Sequence, residues 1–395
     1  MGGHSWSGAR PIRSTEFLPT LRQTGAVAAE TVGLVLAGAA ARGPYQAGAL
    51  SVLLPALEAE GRRPVVLLGT SSGGISSALV AQFADLPAEE AGSRIVDTWT
   101  GFGDVFRNPL LRPAPAAALV ARLLGAAFVP PVTSILDVTP LQERAAELFH
   151  PERVAANIAA GTVTSLAVAT TVCPAASAAA RSRLFVQGRA PTDEDATDGV
   201  DVVATPITLQ HLLGSAAIPG LFPPVRVDGP GAGYHVDGGV RLNAPFRSAL
   251  DLGVDRLVVV SAHSVDQPEV PTPVDEPPDL AAVAALSVRA ILADALGDDL
   301  RALRRKNRRP GRKVVPHLVV APPDGALAAL VAATFHPAGP WDEYWVIARL
   351  IDAIGAGPGR DELISLVLFR DSYAKALVDR GRADATAALA GGWVV

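Results

Sequence analysis

A serine between two glycines has the setting in this sequence that best suits nucleophilic chemistry. Ser71 is the centre of a G-x-S-x-G run from Gly69 to Gly73, with Thr70 and Ser72 beside it. An apolar strand pattern precedes the run and a helical pattern follows it, which is the context of a nucleophile elbow. The small residues let the chain turn sharply, so the hydroxyl is exposed at the end of the strand and can attack a carbonyl.

A small-residue turn upstream offers the hydrogen-bond donors that such an attack needs. It consists of Gly38, Ala39, Ala40, Ala41, Arg42 and Gly43. The turn follows the first apolar strand pattern and opens a helix, so its free N–H groups would face the same sheet edge as Ser71 and stabilise an oxyanion. A phosphate-binding turn is the alternative, but Ala40 replaces the second glycine of G-x-G-x-x-G.

An aspartate in a tight turn is the candidate general base. Asp237 ends a short strand pattern and is followed by Gly238 and Gly239. Neighbouring N–H groups can hold such an aspartate toward a nucleophile, although Asp-Gly-Gly is also common in purely structural turns. A Ser-Asp-His triad is the competing interpretation. Its most suitable histidine is His263, which follows the strand pattern at 257–262.

Strands must position these residues, and several runs rich in Val, Leu and Ile predict them. The runs are 32–36, 64–68, 165–172, 257–262 and 317–321. The first two precede helical patterns. Strands that are apolar throughout and alternate with helices indicate a mostly parallel sheet covered on both faces.

The composition is that of a globular protein without a signature for binding nucleic acid. The chain has 395 residues, 49% of them hydrophobic, and a net charge of -5, which gives no global attraction to a polyanion. We predict a flexible tail over 1–30 and one domain over 31–395. Cys173 is the lone cysteine, so no intramolecular disulfide forms, and a reducing cytoplasmic compartment fits best. No Cys/His cluster or carboxylate spacing indicates a metal.

The motifs together resemble those of the patatin-like phospholipase family and occur in that family's order. The turn at 38–43 resembles its glycine-rich oxyanion motif, which ends in Arg-Gly, and 69–73 resembles its nucleophile elbow. The run 237–239 matches its Asp-Gly-Gly motif, and the block 215–224 is similar to the segment that the family carries before its aspartate. The resemblance covers residues 31–252.

This resemblance implies an α/β fold, a three-layer α/β/α sandwich with a mostly parallel central sheet, which residues 253–395 would complete with further helices. It also implies that Ser71 forms an acyl-enzyme with a lipid or other acyl ester, and that Asp237 accepts its proton and later activates water. We expect no cofactor. The N–H groups at 38–43 would form the oxyanion hole. The family usually has three glycines where this chain has Gly38-Ala39-Ala40, so we expect altered rate or substrate choice.

Other functions stay open at this point. A Ser-His-Asp esterase of the α/β-hydrolase type shares the elbow, and an acyltransferase results when an alcohol, instead of water, resolves the acyl-enzyme. A non-catalytic lipid-binding protein is the third alternative. In each case the expected partner is a lipid or acyl ester and not nucleic acid, and peripheral contact with a membrane stays open.

Overall fold

This computed structural model describes one body of helices around a central sheet. The residues that it describes are 1, 30–102, 121–122, 124–125, 134, 138–174, 178–192, 197, 199–265, 276–337, 339, 342 and 344–395. The tail predicted at 1–30 therefore lies almost wholly outside the described residues.

The described residues form one sheet of nine strands. These are β1 (Val32–Leu36), β2 (Pro64–Thr70), β3 (Ser165–Val172), β4 (Arg181–Gly188), β5 (Val200–Ala204), β6 (Val225–Val227), β7 (Gly233–Asp237), β8 (Arg256–Val260) and β9 (His317–Val320). Their order is β5-β4-β3-β2-β1-β8-β9, with β7 paired to β3 and β6 to β7. Along the part of the sheet ordered β3-β2-β1-β8-β9, all neighbouring strands are parallel. Strands β4 and β7 each run antiparallel to β3.

Helices cover the sheet. Those of the described residues are α1 (Gly43–Ala59), α2 (Ser72–Gln82), α3 (Ala88–Thr100), α4 (Thr139–Leu148), α5 (Pro151–Ala159), α6 (Leu209–Ser215), α7 (Phe246–Asp251), α8 (Leu280–Arg289), α9 (Ala295–Asn307), α10 (Ala326–Thr334), α11 (Trp345–Asp352), α12 (Gly357–Ser365) and α13 (Asp371–Gly391). A π-helical segment, Ala290–Asp294, joins α8 to α9.

Both faces of the sheet are buried, as the apolar strands predict. Leu34 and Leu36 of β1 belong to a cluster that includes α1 and α2, whereas Val35 belongs to a second cluster with α7 and α9. Successive strand residues point to opposite faces, so these two clusters are the two layers of core on either side of the sheet. The predicted three-layer α/β/α sandwich is confirmed.

The second half of the longest apolar helix lies in one of these layers. By length and composition alone, the continuous helix Leu280–Asn307 could cross a membrane. Its Leu296, Leu300 and Leu303 side chains are nevertheless buried against the second face of the sheet. One helix of this kind is weak evidence for a membrane span. Its second half packs on the sheet, whereas Leu280, Val283 and Leu286 in its first half are exposed.

The last helix packs closely on the first. A Cβ atom added at Gly381 of α13 would collide with the Tyr45 carbonyl of α1, and one added at Gly48 of α1 would collide with the Val378 carbonyl of α13. The Tyr45 hydroxyl also donates to Asp384 Oδ2 at 2.9 Å. The two glycines therefore permit a backbone contact that no larger residue allows.

We predict that Gly381→Ala lowers the free energy of unfolding by about 1–3 kcal/mol, because the added methyl group overpacks the contact between α1 and α13. Gly391→Ala is the matched control in the same helix, since no atom lies within 4 Å of its added Cβ. The control should stabilise by about 0.4–1 kcal/mol, because alanine restricts the unfolded chain. Urea unfolding of both variants measures the difference, and equal effects would contradict the close contact.

Candidate active site

Strand β3 brings the ends of two other strands together. Thr70, the last residue of β2, pairs with Ala169 of β3, and Asp237, the last residue of β7, pairs with the next residue, Thr170. Successive strand residues are only about 3.3 Å apart. The residue that follows β2, Ser71, therefore comes directly beside Asp237.

The serine and the aspartate form a direct hydrogen bond. Ser71 Oγ donates to Asp237 Oδ2 at 2.6 Å, and Asp237 Oδ1 accepts from the Gly239 N–H at 2.7 Å. Burial raises the pKa of Asp237 to about 6, and the hydrogen bonds from Ser71 and Gly239 offset part of that rise. The carboxylate is thus fixed in position and more basic than an exposed aspartate. Gly238 packs so closely on the Ala169 carbonyl that a Cβ atom there would collide with it.

The backbone at Ser71 is strained. Its φ of 57° lies in the left-handed region that favours glycine. A Cβ atom at Gly69 would collide with the Gly73 carbonyl, and one at Gly73 would collide with the Leu36 carbonyl. Only glycine fits at these two positions, and α2 begins directly afterwards at Ser72. The turn has the shape of a nucleophile elbow.

Ser215 holds the backbone of this elbow. The Ser71 N–H donates to Ser215 Oγ at 2.8 Å, and that hydroxyl in turn donates to the Ala169 carbonyl at 2.6 Å. Ser215 is fully buried at the end of α6. In the sequence analysis, Ser215 appeared only as the first residue of the 215–224 block. That block is the one sequence signal that points to Ser215.

Most N–H groups of the turn at 38–43 have an acceptor within the protein. Those of Gly38, Ala39 and Ala41 donate to Asn243 O at 2.9 Å, Ser72 Oγ at 3.0 Å and Leu366 O at 3.1 Å, respectively. The N–H of Ala40 has no acceptor among the described residues, and Ala40 lines a cavity together with Ser71. Ala40 also has a left-handed φ of 50°, whereas Ala39 has a φ of -137°. Of the two alanines that replace glycines, Ala40 is therefore the strained one.

Arg42 ties this turn to distant parts of the chain. Its guanidinium forms an ion pair with Glu362 at 2.7 Å and donates to Ser365 Oγ and to the Ala262 carbonyl, both at 3.1 Å. The side chain is almost fully buried, so the carboxylate of Glu362 balances its charge. Gly43 follows, and α1 begins there. These contacts of Arg42 stabilise the turn at 38–43.

His263 contacts Arg42 and has the wrong environment for a triad. Its Nδ1 lies 3.1 Å from Arg42 Nη1. A guanidinium can only donate, so Nδ1 accepts and Nε2 carries the proton. Burial, and then the charges of Arg42 and Arg289, lower the pKa of His263 well below its usual value. A triad histidine instead needs a carboxylate on one nitrogen and the serine on the other, but Ser71 donates to Asp237.

An apolar cavity opens beside the serine. Together with the space at its mouth that is open to solvent, it encloses about 410 Å³. Besides Ala40, Ser71 and Ser72, its walls are apolar and include Ile75, Trp99, Phe102, Ile218, Phe222 and Phe369. Such a cavity suits an apolar ligand. Within the described part of the chain, no three His, Cys, Asp or Glu side chains form a group that could hold a metal ion.

The comparison with known families agrees with this geometry. The model of the patatin-like phospholipase family matches residues 34–250, more than half of the chain. This chain belongs to the patatin-like phospholipase family. The resemblance seen in the sequence is thereby confirmed, and membership supports hydrolysis of lipid esters as the general activity.

Further comparisons add little. No curated protein matches the chain. Among solved structures, that of VipD from Legionella pneumophila is similar at 14% sequence identity and a TM-score of 0.33, and the match covers 91% of this chain and 67% of that one. A likeness at this level carries no argument about the site.

We predict that Ser215→Ala lowers kcat for a short p-nitrophenyl ester by about tenfold to 100-fold while KM changes little. The reason is that the Ser71 N–H loses its buried acceptor, at a cost of about 1–3 kcal/mol to the strained elbow. Ser77→Ala is the matched control, because Ser77 Oγ is buried in α2 without a hydrogen-bond partner among the described residues. Equal kinetic losses in both variants would contradict a positioning role for Ser215.

Proposed function

We propose that this chain hydrolyses lipid acyl esters, as a phospholipase, lysophospholipase or esterase, with Ser71 as nucleophile and Asp237 as general base. The observation that carries the proposal is the 2.6 Å hydrogen bond from Ser71 Oγ to Asp237 Oδ2, in a buried site that opens into an apolar cavity. Family membership supports the lipid ester as substrate. The cytoplasmic location expected from the lone cysteine stays a prediction.

In the first half-reaction the substrate's acyl group passes to Ser71. Ser71 Oγ attacks the carbonyl carbon while its proton moves to Asp237 Oδ2, and the carbonyl electron pair moves onto oxygen to form an oxyanion. When the intermediate collapses, the C–O bond to the alcohol breaks and the proton passes from Asp237 to the alcohol oxygen. The products are the acyl-enzyme and the free alcohol.

In the second half-reaction water takes the place of the alcohol. Asp237 accepts a proton from water as the water oxygen attacks the acyl carbonyl carbon. Collapse of this second intermediate breaks the bond to Ser71 Oγ, which regains the proton, and the carboxylic acid leaves. The same carboxylate therefore acts as base and then acid in each half.

The N–H of Ala40 is the proposed principal donor to the oxyanion. The neighbouring N–H groups at Gly38, Ala39 and Ala41 already have protein acceptors, whereas that of Ala40 has none among the described residues and borders the cavity beside Ser71. The first residue of α2, Ser72, adds an N–H without an intrahelical acceptor, at the positive end of the helix dipole. Both donors suit a charge that develops next to Ser71.

The dyad predicts a distinct mutational pattern. Ser71→Ala and Asp237→Asn should each lower kcat/KM on a p-nitrophenyl ester by more than about 1,000-fold, because nucleophile and base act as a unit. His263→Ala should lower kcat/KM by less than about tenfold, because His263 has no catalytic role in a Ser-Asp dyad. Circular dichroism checks that each variant is folded. If His263→Ala is as inactive as Ser71→Ala, the Ser-Asp-His alternative replaces the dyad.

The raised pKa of Asp237 predicts the pH profile. The base must be ionised to accept the serine proton, so kcat/KM should rise with pH and reach half its plateau near pH 6, the pKa to which burial raises this carboxyl. An unburied aspartate would give a midpoint near 3.8, the ordinary pKa of its carboxyl group. Ester hydrolysis from pH 4 to 9, with the fold verified at each pH, measures the midpoint. Full activity at pH 4.5 would rule out a base with this pKa.

A further inference from the structure

A polar pocket lies where the parallel strands β8 and β9 end. Its walls include His263, which follows β8, and Gly325, which follows β9, together with Arg42, Arg289 and Glu362. With the space at its mouth that is open to solvent, the pocket encloses about 290 Å³. None of the described residues lines both this pocket and the cavity at Ser71. Open α/β sheets bind ligands at the carboxyl ends of their strands, so the pocket has the location of a binding site.

The imidazole of His263 brings an unused donor to this pocket. His263 is only 3% exposed, and its Nε2 has no hydrogen-bond partner among the described residues. Nδ1 accepts from Arg42, so Nε2, on the other side of the ring, carries the proton. A buried N–H without an acceptor destabilises the folded state. A ligand in the pocket that accepts this hydrogen bond would remove the penalty.

The amino-terminal end of α10 forms a second part of the pocket. This helix has 9 residues, and its N-cap residue, Gly325, has a φ of 70° and offers no side chain as a cap. Gly325 and Leu327 line the pocket, and within the described part of the chain their N–H groups have no acceptor. Uncapped N–H groups at the positive end of a helix dipole attract an anion.

Arg289 supplies positive charge where the pocket meets solvent. Its side chain is 39% exposed, and its ion pair with Asp324, at 2.8 Å, uses Nη1. Its Nε and Nη2 groups have no acceptor among the residues that the structure describes, so they can donate to a ligand. The deeper Arg42 is already paired with Glu362 at 2.7 Å. Arg289 is therefore the cation that can turn to a ligand, and Asp324 competes with that ligand for it.

We propose that this pocket binds a phosphate group, either as inorganic phosphate or as part of a soluble phosphate monoester. The donors would be His263 Nε2, the guanidinium of Arg289 and the N–H groups of Gly325 and Leu327. A phosphate group offers three or four oxygens to these donors, whereas a carboxylate offers two. The site uses neither Ser71 nor Asp237, so the inference goes beyond the proposed function and does not depend on it.

Calorimetric titration of the full chain with inorganic phosphate, at constant ionic strength, tests the binding. We expect one phosphate per chain with a Kd of about 1 mM or below. No saturable binding up to about 20 mM would overturn the proposal. Competitive inhibition of ester hydrolysis by phosphate, with an inhibition constant equal to this Kd, would place the ion at Ser71 and would also overturn it.

Two arginines of the same continuous helix provide a matched pair. Arg289→Gln should raise the Kd for phosphate by at least about tenfold, because a charge-assisted hydrogen bond is lost. Arg301→Gln is the control, since Arg301 is also exposed and paired with an aspartate, Asp298, but lies outside the pocket. The control should leave the Kd unchanged, and equal effects of the two substitutions would contradict the site.

Asp324→Asn should act in the opposite direction. It removes the carboxylate that competes for Arg289, so the Kd for phosphate should fall by at least about threefold. The same titration measures this change. A weaker affinity in Asp324→Asn would contradict the assignment of Arg289 as a ligand group.

Substitutions of His263 test the buried donor. His263→Leu removes the N–H and should raise the Kd by at least about tenfold. His263→Gln keeps an acceptor for Arg42 and an N–H for the ligand, so its Kd should stay within about threefold of the parent's. Circular dichroism checks that both variants are folded, and Arg289→Gln decides if His263→Leu is not. A folded His263→Leu that binds phosphate like the parent would overturn the site.

Other small anions identify the ligand. Acetate should bind at least about tenfold more weakly than phosphate, because it offers fewer oxygens and less charge, and an equal Kd would overturn the assignment to phosphate. Glycerol 3-phosphate separates the two sources of the group. A Kd at or below that of inorganic phosphate indicates a monoester as the ligand, and a Kd at least about tenfold higher indicates the free ion.

Discussion

The hydrogen bond between Ser71 Oγ and Asp237 Oδ2 depends on the register of β3. This one strand pairs with β2 through Ala169 and with β7 through Thr170, so it fixes how far apart the two catalytic candidates lie. A slip of one residue in either pairing would move Asp237 by about 3.3 Å and turn its side chain to the other face of the sheet. The short antiparallel strand β7, which departs from the parallel pattern, is therefore the element that completes the site.

The arrangement of the site lowers the stability of the folded state. Burial shifts the pKa of Asp237 from 3.8 to about 6, which means that an ionised carboxylate at neutral pH costs the folded state about 3 kcal/mol. Left-handed backbone at Ser71 and Ala40 adds strain. Contacts from elsewhere offset these costs, among them the buried hydroxyl of Ser215 and the ion pair between Arg42 and Glu362.

The sequence predicted the parallel strands well because burial on both faces leaves an unbroken apolar run. The strands observed at Val32–Leu36 and Ser165–Val172 have the predicted bounds. The antiparallel strands were harder, since β6 has only three residues and β4 mixes arginines with apolar residues. Within the site, the sequence revealed the serine and aspartate motifs. It did not reveal which N–H groups at 38–43 already donate to acceptors within the protein. Acceptors such as Leu366 O lie hundreds of residues away and come close only in the folded chain.

The contact between α1 and α13 has a consequence for biosynthesis. Tyr45 and Asp384 are 339 residues apart in the chain, and Arg42 and Ser365 are 323 apart. A ribosome makes the elbow and Asp237 long before it makes the helices that contact α1 and the neighbouring turn, so these contacts form only after Ser365 and Asp384 have emerged. Until then, a nascent chain carries Ser71 beside a turn that lacks these supports.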